Sequence, residues 1–330
     1  MTRIAQGQIA RRLLADVMNN YKELERSSRQ VSSGYKVERP GDSDLGGTIQ
    51  GFRNSLDRVE NYQRGIGSAR TALTFQENIV KQSVDLMQRA KDLATQAANE
   101  TLDTATRRQL AAEVYQMRDQ LVLFANSKYQ DRYIYGQSDD DDAPFDPATT
   151  GYTVPTTGSS NQRYVFDAEL GTAISQSVNV TQDISVRTTT SGRGVFQNGI
   201  SALETLGRAL EGYSTTTTAG LPDGGGVAYT FPTDRPAQTL QIQGTIDLIE
   251  VSLSSDLTPE RLDIGARLSR LEVASSVLDS TKQTATEGLD SLQNADSASA
   301  ISQYQQAQYS LQAAMQVTSK VLNMSILDYL

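Results

Sequence analysis

The chain has 330 residues with a formal net charge of −9, and it contains no Cys, no His and no Trp. The missing His removes the commonest general base and metal ligand, and the missing Cys excludes disulfides and thiolate chemistry. The acidic balance argues against nucleic acid as a main partner, because phosphate binding requires concentrated basic charge. No window approaches the roughly 18 apolar residues of a membrane span, and the N-terminus has no apolar signal-peptide region. We therefore expect neither a membrane partner nor a cleaved leader.

Residues 1–35 predict one long helix with a single apolar stripe. Small or apolar side chains recur there at alternating steps of three and four residues, which is the heptad period of a coiled coil. They are Gly7, Ala10, Leu14, Val17, Tyr21, Leu24, Ser28 and Val31. Residues 32–44 are dense in Ser, Gly, Pro and Asp, so we expect a loop after this helix.

Helical periodicity resumes between residues 45 and 125, with a break near Asp103. The face of the first segment carries Ile66, Ala69, Leu73, Val80, Met87, Ala90, Ala94 and Ala97. The second segment carries Leu110, Val114, Met117, Leu121 and Phe124. A pair of helices joined by a short turn needs further helices to complete a core, so we expect a helical bundle.

The period changes after Tyr135. Short segments rich in Val, Ile, Thr and Tyr, at residues 163–166, 177–180 and 184–187, predict strands of a small β-domain. The acidic run at residues 139–142 is better explained as a solvated turn than as a calcium loop, because Ala143 and Pro144 stand where further ligand and Gly positions would be. Residues 214–226 are of low complexity and predict a surface loop.

Helices are again predicted at residues 199–211, around residues 242–253, and from Glu260 toward Leu289, with Thr258 as the N-cap and Pro259 as the first helical residue. A last helix carries a second heptad stripe. Its members are Ala300, Tyr304, Ala307, Leu311, Ala314, Thr318 and Val321.

The two terminal stripes predict an assembly surface. Their small residues bury little area, so a pair of helices from one chain would be weakly held, and an apolar C-terminus needs a cover. An ordinary core formed by the two packed ends is the alternative. The residues that we expect to pack between subunits are Leu14, Val17, Tyr21, Leu24, Val31, Tyr304, Leu311, Ala314, Val321, Leu322, Leu327 and Leu330.

The predicted fold is mainly α with a small β-domain. The N- and C-terminal helices (residues 1–42 and 291–330) pair as a coiled coil, a helical bundle forms the middle domain (43–136 and 197–290), and a β-rich tip forms the outer domain (137–196). No catalytic constellation, phosphate loop or nucleotide fingerprint occurs in the sequence, so we expect no enzyme, no cofactor and no metal.

Four stretches of the sequence carry a resemblance to a known family. They are residues 31–44 (VSSGYKVERPGDSD), 133–145 (YIYGQSDDDDAPF), 264–272 (IGARLSRLE) and 320–330 (KVLNMSILDYL). The chain resembles the bacterial flagellar hook-associated protein 3 family, hook–filament junction proteins that are themselves relatives of flagellin. The first and third stretches are shared with flagellin, whereas the second and fourth favour the junction proteins. Gly41 stands where this family usually has Ser, and Leu45 where it usually has Pro.

The resemblance implies a structural adaptor of the bacterial flagellum. Such proteins leave the cell through the flagellar type III export apparatus, helped by an export chaperone, and act extracellularly. They form a ring of about eleven copies between the first hook-associated junction protein and the flagellin filament, a closed cyclic assembly. Their terminal helices form the inner tube and their β tip points outward. A flagellin, the filament subunit itself, is the alternative, and an unrelated secreted coiled-coil protein or an unrecognised enzyme is a third.

Overall fold

The structure is a computed structural model that describes residues 2–36, 45–136, 142–147, 164–166, 177–181, 184–213, 217–218, 221–222 and 234–327. The predicted turn at residues 37–44, most of the acidic run, most of the loop at residues 214–226 and Leu330 lie outside these residues.

Helices dominate the described chain, so the mainly α class with a small β part is confirmed. The helices are α1 (Thr2–Ser33), α2 (Gly46–Ala97), α3 (Thr104–Ala125), α4 (Gly192–Glu211), α5 (Arg235–Val251), α6 (Thr258–Gln293) and α7 (Ser297–Leu327). A π-helical segment, Ser252–Leu257, connects α5 to α6. The helix predicted from Gly199 begins seven residues earlier, at Gly192.

The strands are short, and within the described residues they form two-stranded antiparallel pairs. The pairs are β1 (Lys128–Tyr129) with β2 (Arg132–Tyr133), β3 (Phe145–Pro147) with β4 (Tyr164–Phe166), β5 (Ser177–Asn179) with β6 (Ser185–Arg187), and β7 (Thr217–Thr218) with β8 (Leu221–Pro222). The segments predicted from sequence as strands correspond to β4, β5 and β6.

Helix ends follow local capping chemistry. Asp103 caps α3, because its carboxylate accepts a hydrogen bond of 2.9 Å from the backbone N–H of Thr106. Helix α4 ends at Gly212, whose φ of 98° is a left-handed conformation that favours glycine, and its N–H is bonded to the carbonyls of Arg208 and Ala209.

The start of α6 differs from the prediction. Thr258 is helical, with φ −68° and ψ −46°, so it is not an N-cap, and the chain passes from α5 into α6 without leaving helical structure. Pro259 has no N–H to donate, and its ring conflicts with the carbonyl four residues earlier. The wider π-helical turns of Ser252–Leu257 lie directly before this proline, at the place where a regular α-helix would meet that conflict.

The chain divides into two compact units, formed by residues 1–61 with 277–330 and by residues 62–276. Helices α2 and α6 each contribute to both units. The boundaries that the sequence predicts for a separate terminal, middle and outer domain stay predictions, since most of residues 137–176 lie outside the described part of the chain.

Helix α4 lies at the centre of the second unit and is buried along most of its length, between α3 and α5. The predicted faces of α2 and α3 supply much of the remaining core, including the fully buried Leu73, Met87 and Leu121. Gly207 of α4 packs directly against the ring of Tyr115 on α3. A Cβ atom at Gly207 would lie 2.6 Å from Cε1 of Tyr115.

A buried arginine joins three segments of this unit. The Arg107 guanidinium on α3 donates to Gln238 Oε1 (2.6 Å) and Thr239 Oγ1 (3.2 Å) of α5 and to the carbonyl of Asn99 (3.1 Å). Burial lowers the pKa of Arg107, because the charged form loses water. These hydrogen bonds to neutral groups compensate part of that cost.

Side-chain amides attach the β3–β4 pair to the helices. Asn126 donates from Nδ2 to the carbonyl of Phe145 (2.8 Å), and its Oδ1 accepts from the Phe145 N–H (2.9 Å). Gln197 Oε1 on α4 accepts from the N–H of Phe166 (3.2 Å). The backbone of β3 is thus bonded to the residue that follows α3, and the backbone of β4 to a residue of α4.

Candidate assembly surface

Helices α1 and α7 pack against each other in the first unit. Every member of the predicted α7 stripe, from Ala300 to Val321, is buried or half-buried, whereas most other α7 side chains with described burial are exposed. The heptad spacing therefore identifies the face of α7 that packing covers. Tyr304, Leu311, Ala314 and Val321 are covered within the chain itself, without a second copy.

The covered row of α1 differs from the predicted stripe. Val17 and Leu24 belong to it, but the other members among the residues with described burial are Leu13, Asn20, Ser27, Gln30 and Ser33. Leu13 and Leu14 are neighbours of the same residue type, so spacing alone does not decide between the two rows.

Of the other predicted residues of α1 whose burial the structure describes, Leu14, Tyr21, Ser28 and Val31 are exposed. Leu14 and Tyr21 form a second, uncovered row with Met18, which the stripe predicted from sequence did not include, and we call these three residues the outer row. Leu14 is 58% exposed and Tyr21 is 61% exposed. Steps of four and three residues keep these three side chains on one side of the helix. Val31 is seven residues after Leu24 and therefore lies at the heptad position of the covered row, although it is 41% exposed. Neighbouring large apolar side chains in water make this row a candidate surface for binding another helix.

Helix α7 also exposes large apolar side chains, namely Ile301, Tyr309, Met315 and Val317. The side chains of Leu322 and Leu327, and all of Leu330, lie outside the described residues. The prediction that the twelve residues named from sequence pack between subunits stays a prediction.

A backbone bridge ties the end of α1 to the connection between α6 and α7. The N–H of Lys36 donates to the carbonyl of Gln293 (2.6 Å), and the N–H of Ala295 donates to the carbonyl of Gly34 (2.9 Å). Gly34 has a left-handed φ of 75°. These two hydrogen bonds hold the end of α1 against the break between α6 and α7 in the first unit. The sequence pattern did not indicate this contact.

The shifted pKa values of two tyrosines are explained by their packing. Burial raises the pKa of Tyr115, whose hydroxyl donates to Glu211 Oε2 at 3.1 Å, and burial also raises the pKa of Tyr135. In the ranges that the structure describes, no group of three or more His, Cys, Asp or Glu side chains could hold a metal ion. No helix among them is long and apolar enough to cross a membrane.

Comparison with known protein families identifies the two ends of the chain. The model of the bacterial flagellin N-terminal helical region matches residues 4–138, and that of the flagellin C-terminal helical region matches residues 246–330. The chain belongs to the flagellin-like family. The flagellin-like regions contain α1, α2, α3, α6 and α7, and therefore the whole α1–α7 pair and its outer row.

A relative that matches this chain over nearly its full length is a hook-associated protein. Flagellar hook-associated protein 3 of Escherichia coli is 24% identical over 320 residues, which are 94% of each chain. The protein of the same name from Salmonella typhimurium is 29% identical over 153 residues, 46% of this chain and 48% of that protein. Flagellins match over a shorter part: flagellin B of Vibrio cholerae is 30% identical over 109 residues, 28% of its length.

Solved structures agree on the fold. The flagellar junction protein FlgL from Legionella pneumophila superposes with a TM-score of 0.57 at 14% identity, covering 74% of this flagellin-like chain and 99% of the other. At this identity the likeness establishes the shared fold. Residues 139–245, which hold β3 to β8 and α4, lie between the two flagellin-like regions and match neither.

Proposed function

We propose that this chain is a structural adaptor of the bacterial flagellum that joins the hook side to the flagellin filament. The observation that carries the proposal is the length of the match: a hook-associated protein 3 aligns with 94% of the chain, whereas the flagellin aligns with 32% of it. The partners would be the first hook-associated junction protein on one side and flagellin on the other.

The outer row on α1 supports assembly as the means of joining. Leu14, Met18 and Tyr21 leave apolar area in water, and contact with neighbouring helices would remove it at about 25 cal/mol per Å². Neighbouring copies in a closed ring of about eleven present such helices to one another, because a cyclic interface repeats the same contact. The ring, the chaperone and type III export enter this proposal from the family resemblance alone.

In this proposed role the chain would act by binding other proteins, without catalysing a reaction. Its relatives are named as flagellar hook-associated proteins and flagellins. Its own groups whose pKa values burial shifts, such as Tyr115 and Arg107, are engaged in packing. We therefore place it in the extracellular flagellum as an interaction protein.

Polymerisation of the purified chain separates an adaptor from a flagellin. A flagellin would form long filaments that sediment and are visible by negative-stain electron microscopy. An adaptor should remain in small species alone, yet promote flagellin growth when added to isolated hooks that carry the first junction protein. Long filaments from the chain alone would refute the adaptor proposal in favour of the flagellin alternative.

A further inference from the structure

Helix α6 exposes a row of uncharged side chains in the second unit, which we call the α6 ridge: Leu262, Ala266, Ser269 and Val273. Steps of four, three and four residues place them on one side of the helix. Leu262 is 70% exposed and Val273 is 62% exposed, and the two small residues between them are exposed as well. By contrast, α2 exposes no large apolar side chain along its described length. Exposed apolar side chains are thus concentrated on particular helices.

The outer row of α1 is too small to hold neighbouring copies together by itself. Its three side chains are each little more than half exposed, so they offer roughly 100 Å² apiece. A stable protein–protein interface buries about 800 Å² on each partner. The ring proposed above therefore needs further contact area. The inference drawn from the α6 ridge rests on that proposed function.

A groove of about 430 Å³ between α2 and α3 offers a complementary shape in the same unit. Its apolar floor is formed by Leu86 and Met117, each 7% exposed, and by the half-buried Phe124. Uncharged amides, including Gln116 and Gln120, lie along its edges. Grooves of this kind bind one face of a helix through side chains that recur at helical spacing.

The α6 ridge and the groove have the same length. From Leu262 to Val273 the axis of α6 rises about 16 Å, and the groove-lining residues of α3 extend from Glu113 to Phe124, which is also about 16 Å. The small side chains in the middle of the ridge allow the backbone of α6 to approach closely. A ridge of side chains on one helix can then pack into the groove beside another.

The exposed charges beside the two surfaces are complementary. Two arginines and one glutamate flank the α6 ridge, namely Arg261, Arg270 and Glu272. Two carboxylates and one arginine line the groove, namely Asp85, Glu113 and Arg89. A net positive surface would therefore meet a net negative one, and such complementarity favours the correct partner and speeds association.

A cyclic assembly repeats one contact between two different surfaces of adjacent copies, since all of its members have the same orientation. The α6 ridge and the α2–α3 groove are two such surfaces of the second unit. We propose that the α6 ridge of each copy packs into the α2–α3 groove of the next copy, as a further contact of the assembled ring beside the outer row.

Photo-cross-linking in cells tests this contact without a prior choice of partner. Benzoylphenylalanine in place of Val273 reacts on irradiation with the chain that lies against the α6 ridge, and mass spectrometry locates the attached peptide. Ala266→Arg puts a long charged side chain in the middle of the ridge, and the free chain should keep its unfolding temperature because Ala266 is exposed. Ala237→Arg is the matched control, since it makes the same change at an exposed position of α5.

We expect a product of two copies of the chain, joined between α6 of one and residues 82–124 of the other. Its yield should fall at least tenfold in Ala266→Arg and be unchanged in Ala237→Arg. Attachment to another protein or outside residues 82–124, no product, or an undiminished yield in Ala266→Arg would overturn the proposal. This result is separate from the adaptor proposal, because a chain that forms filaments alone would refute the adaptor and could still give this cross-link.

Discussion

At the scale of single residues, the contact between Gly207 of α4 and the ring of Tyr115 leaves no space for a side chain at position 207. Tyr115 has little freedom to move away from Gly207, since its hydroxyl is bonded to Glu211 and the Arg118 guanidinium lies 4.9 Å from its ring centroid. A side chain added at Gly207 therefore meets a fixed ring rather than the end of a flexible group.

Gly207→Ala is expected to lower the free energy of unfolding by about 1–3 kcal/mol, the usual cost of overpacking a core. Gly194→Ala is the matched control on the same helix, because no atom lies within 4 Å of its Cβ position. The control should be neutral or gain up to about 1 kcal/mol, since alanine favours helix over glycine. Urea unfolding of both variants measures the difference, and equal stabilities would show that Tyr115 has more freedom than its contacts indicate.

The stability of the second unit is expected to depend on pH through the carboxyl group of Asp256. Burial raises the pKa of Asp256 above its ordinary 3.8, although its Oδ2 accepts a bond of 3.0 Å from Asn198. The folded state then binds the proton more tightly than the unfolded state, so this group's contribution to stability falls as pH rises through the two pKa values, and its cost is complete above the folded one.

Asp256→Asn should consequently raise the unfolding temperature at neutral pH, and the gain should disappear near pH 3, where the wild-type carboxyl is itself protonated. Asp247→Asn, at an exposed position of α5, serves as the control. A loss of stability at neutral pH would mean that the charged bond to Asn198 outweighs the cost of burial.

At the scale of secondary-structure elements, the end of α1 depends on one backbone conformation. Gly34 has a left-handed φ of 75°, and its carbonyl accepts a hydrogen bond from the N–H of Ala295. It therefore both ends α1 and links that end to the connection that leads into α7. Residues with a Cβ are strained in this conformation.

Gly34→Ala is therefore expected to cost about 1–2 kcal/mol and to loosen the α1–α7 pair. Gly47→Ala near the start of α2 is the control, because it lacks both the positive φ and any close neighbour. Hydrogen exchange of α1 amides reports the effect directly. Unchanged protection of α1 in Gly34→Ala would contradict the role given to this bridge.

The elements also show where sequence reasoning succeeds and fails. Spacing alone identified the covered face of α7 from Ala300 to Val321, because small or apolar residues stand at each heptad position there. It did not choose between Leu13 and Leu14 on α1, since that choice depends on how α7 packs. It placed a helix start at Thr258 because a proline follows, but the π-helical turns allow the helix to continue.

At the scale of the whole molecule, we expect the outer row of α1 to be covered by helices of neighbouring subunits and not by the chain itself. Tyr21 is 61% exposed in the single chain, so a charge there leaves the fold almost unaffected but becomes buried once another helix covers it. Burial of an unpaired charge is strongly unfavourable.

Tyr21→Asp is expected to keep the unfolding temperature of the free chain and to abolish its function in motile cells. Asn19→Asp places the same charge on the same helix away from the outer row, and should support normal swimming. Leu311→Asp should fail as well, but because the α1–α7 pair itself is lost. Normal motility with Tyr21→Asp would show that the outer row is not an assembly surface.

The central claim, a junction between hook and filament, is tested most directly by electron microscopy of cells that lack this gene. We expect hooks without filaments and flagellin released into the medium, with filaments restored by the wild-type gene. Normal hooks carrying normal filaments would contradict it.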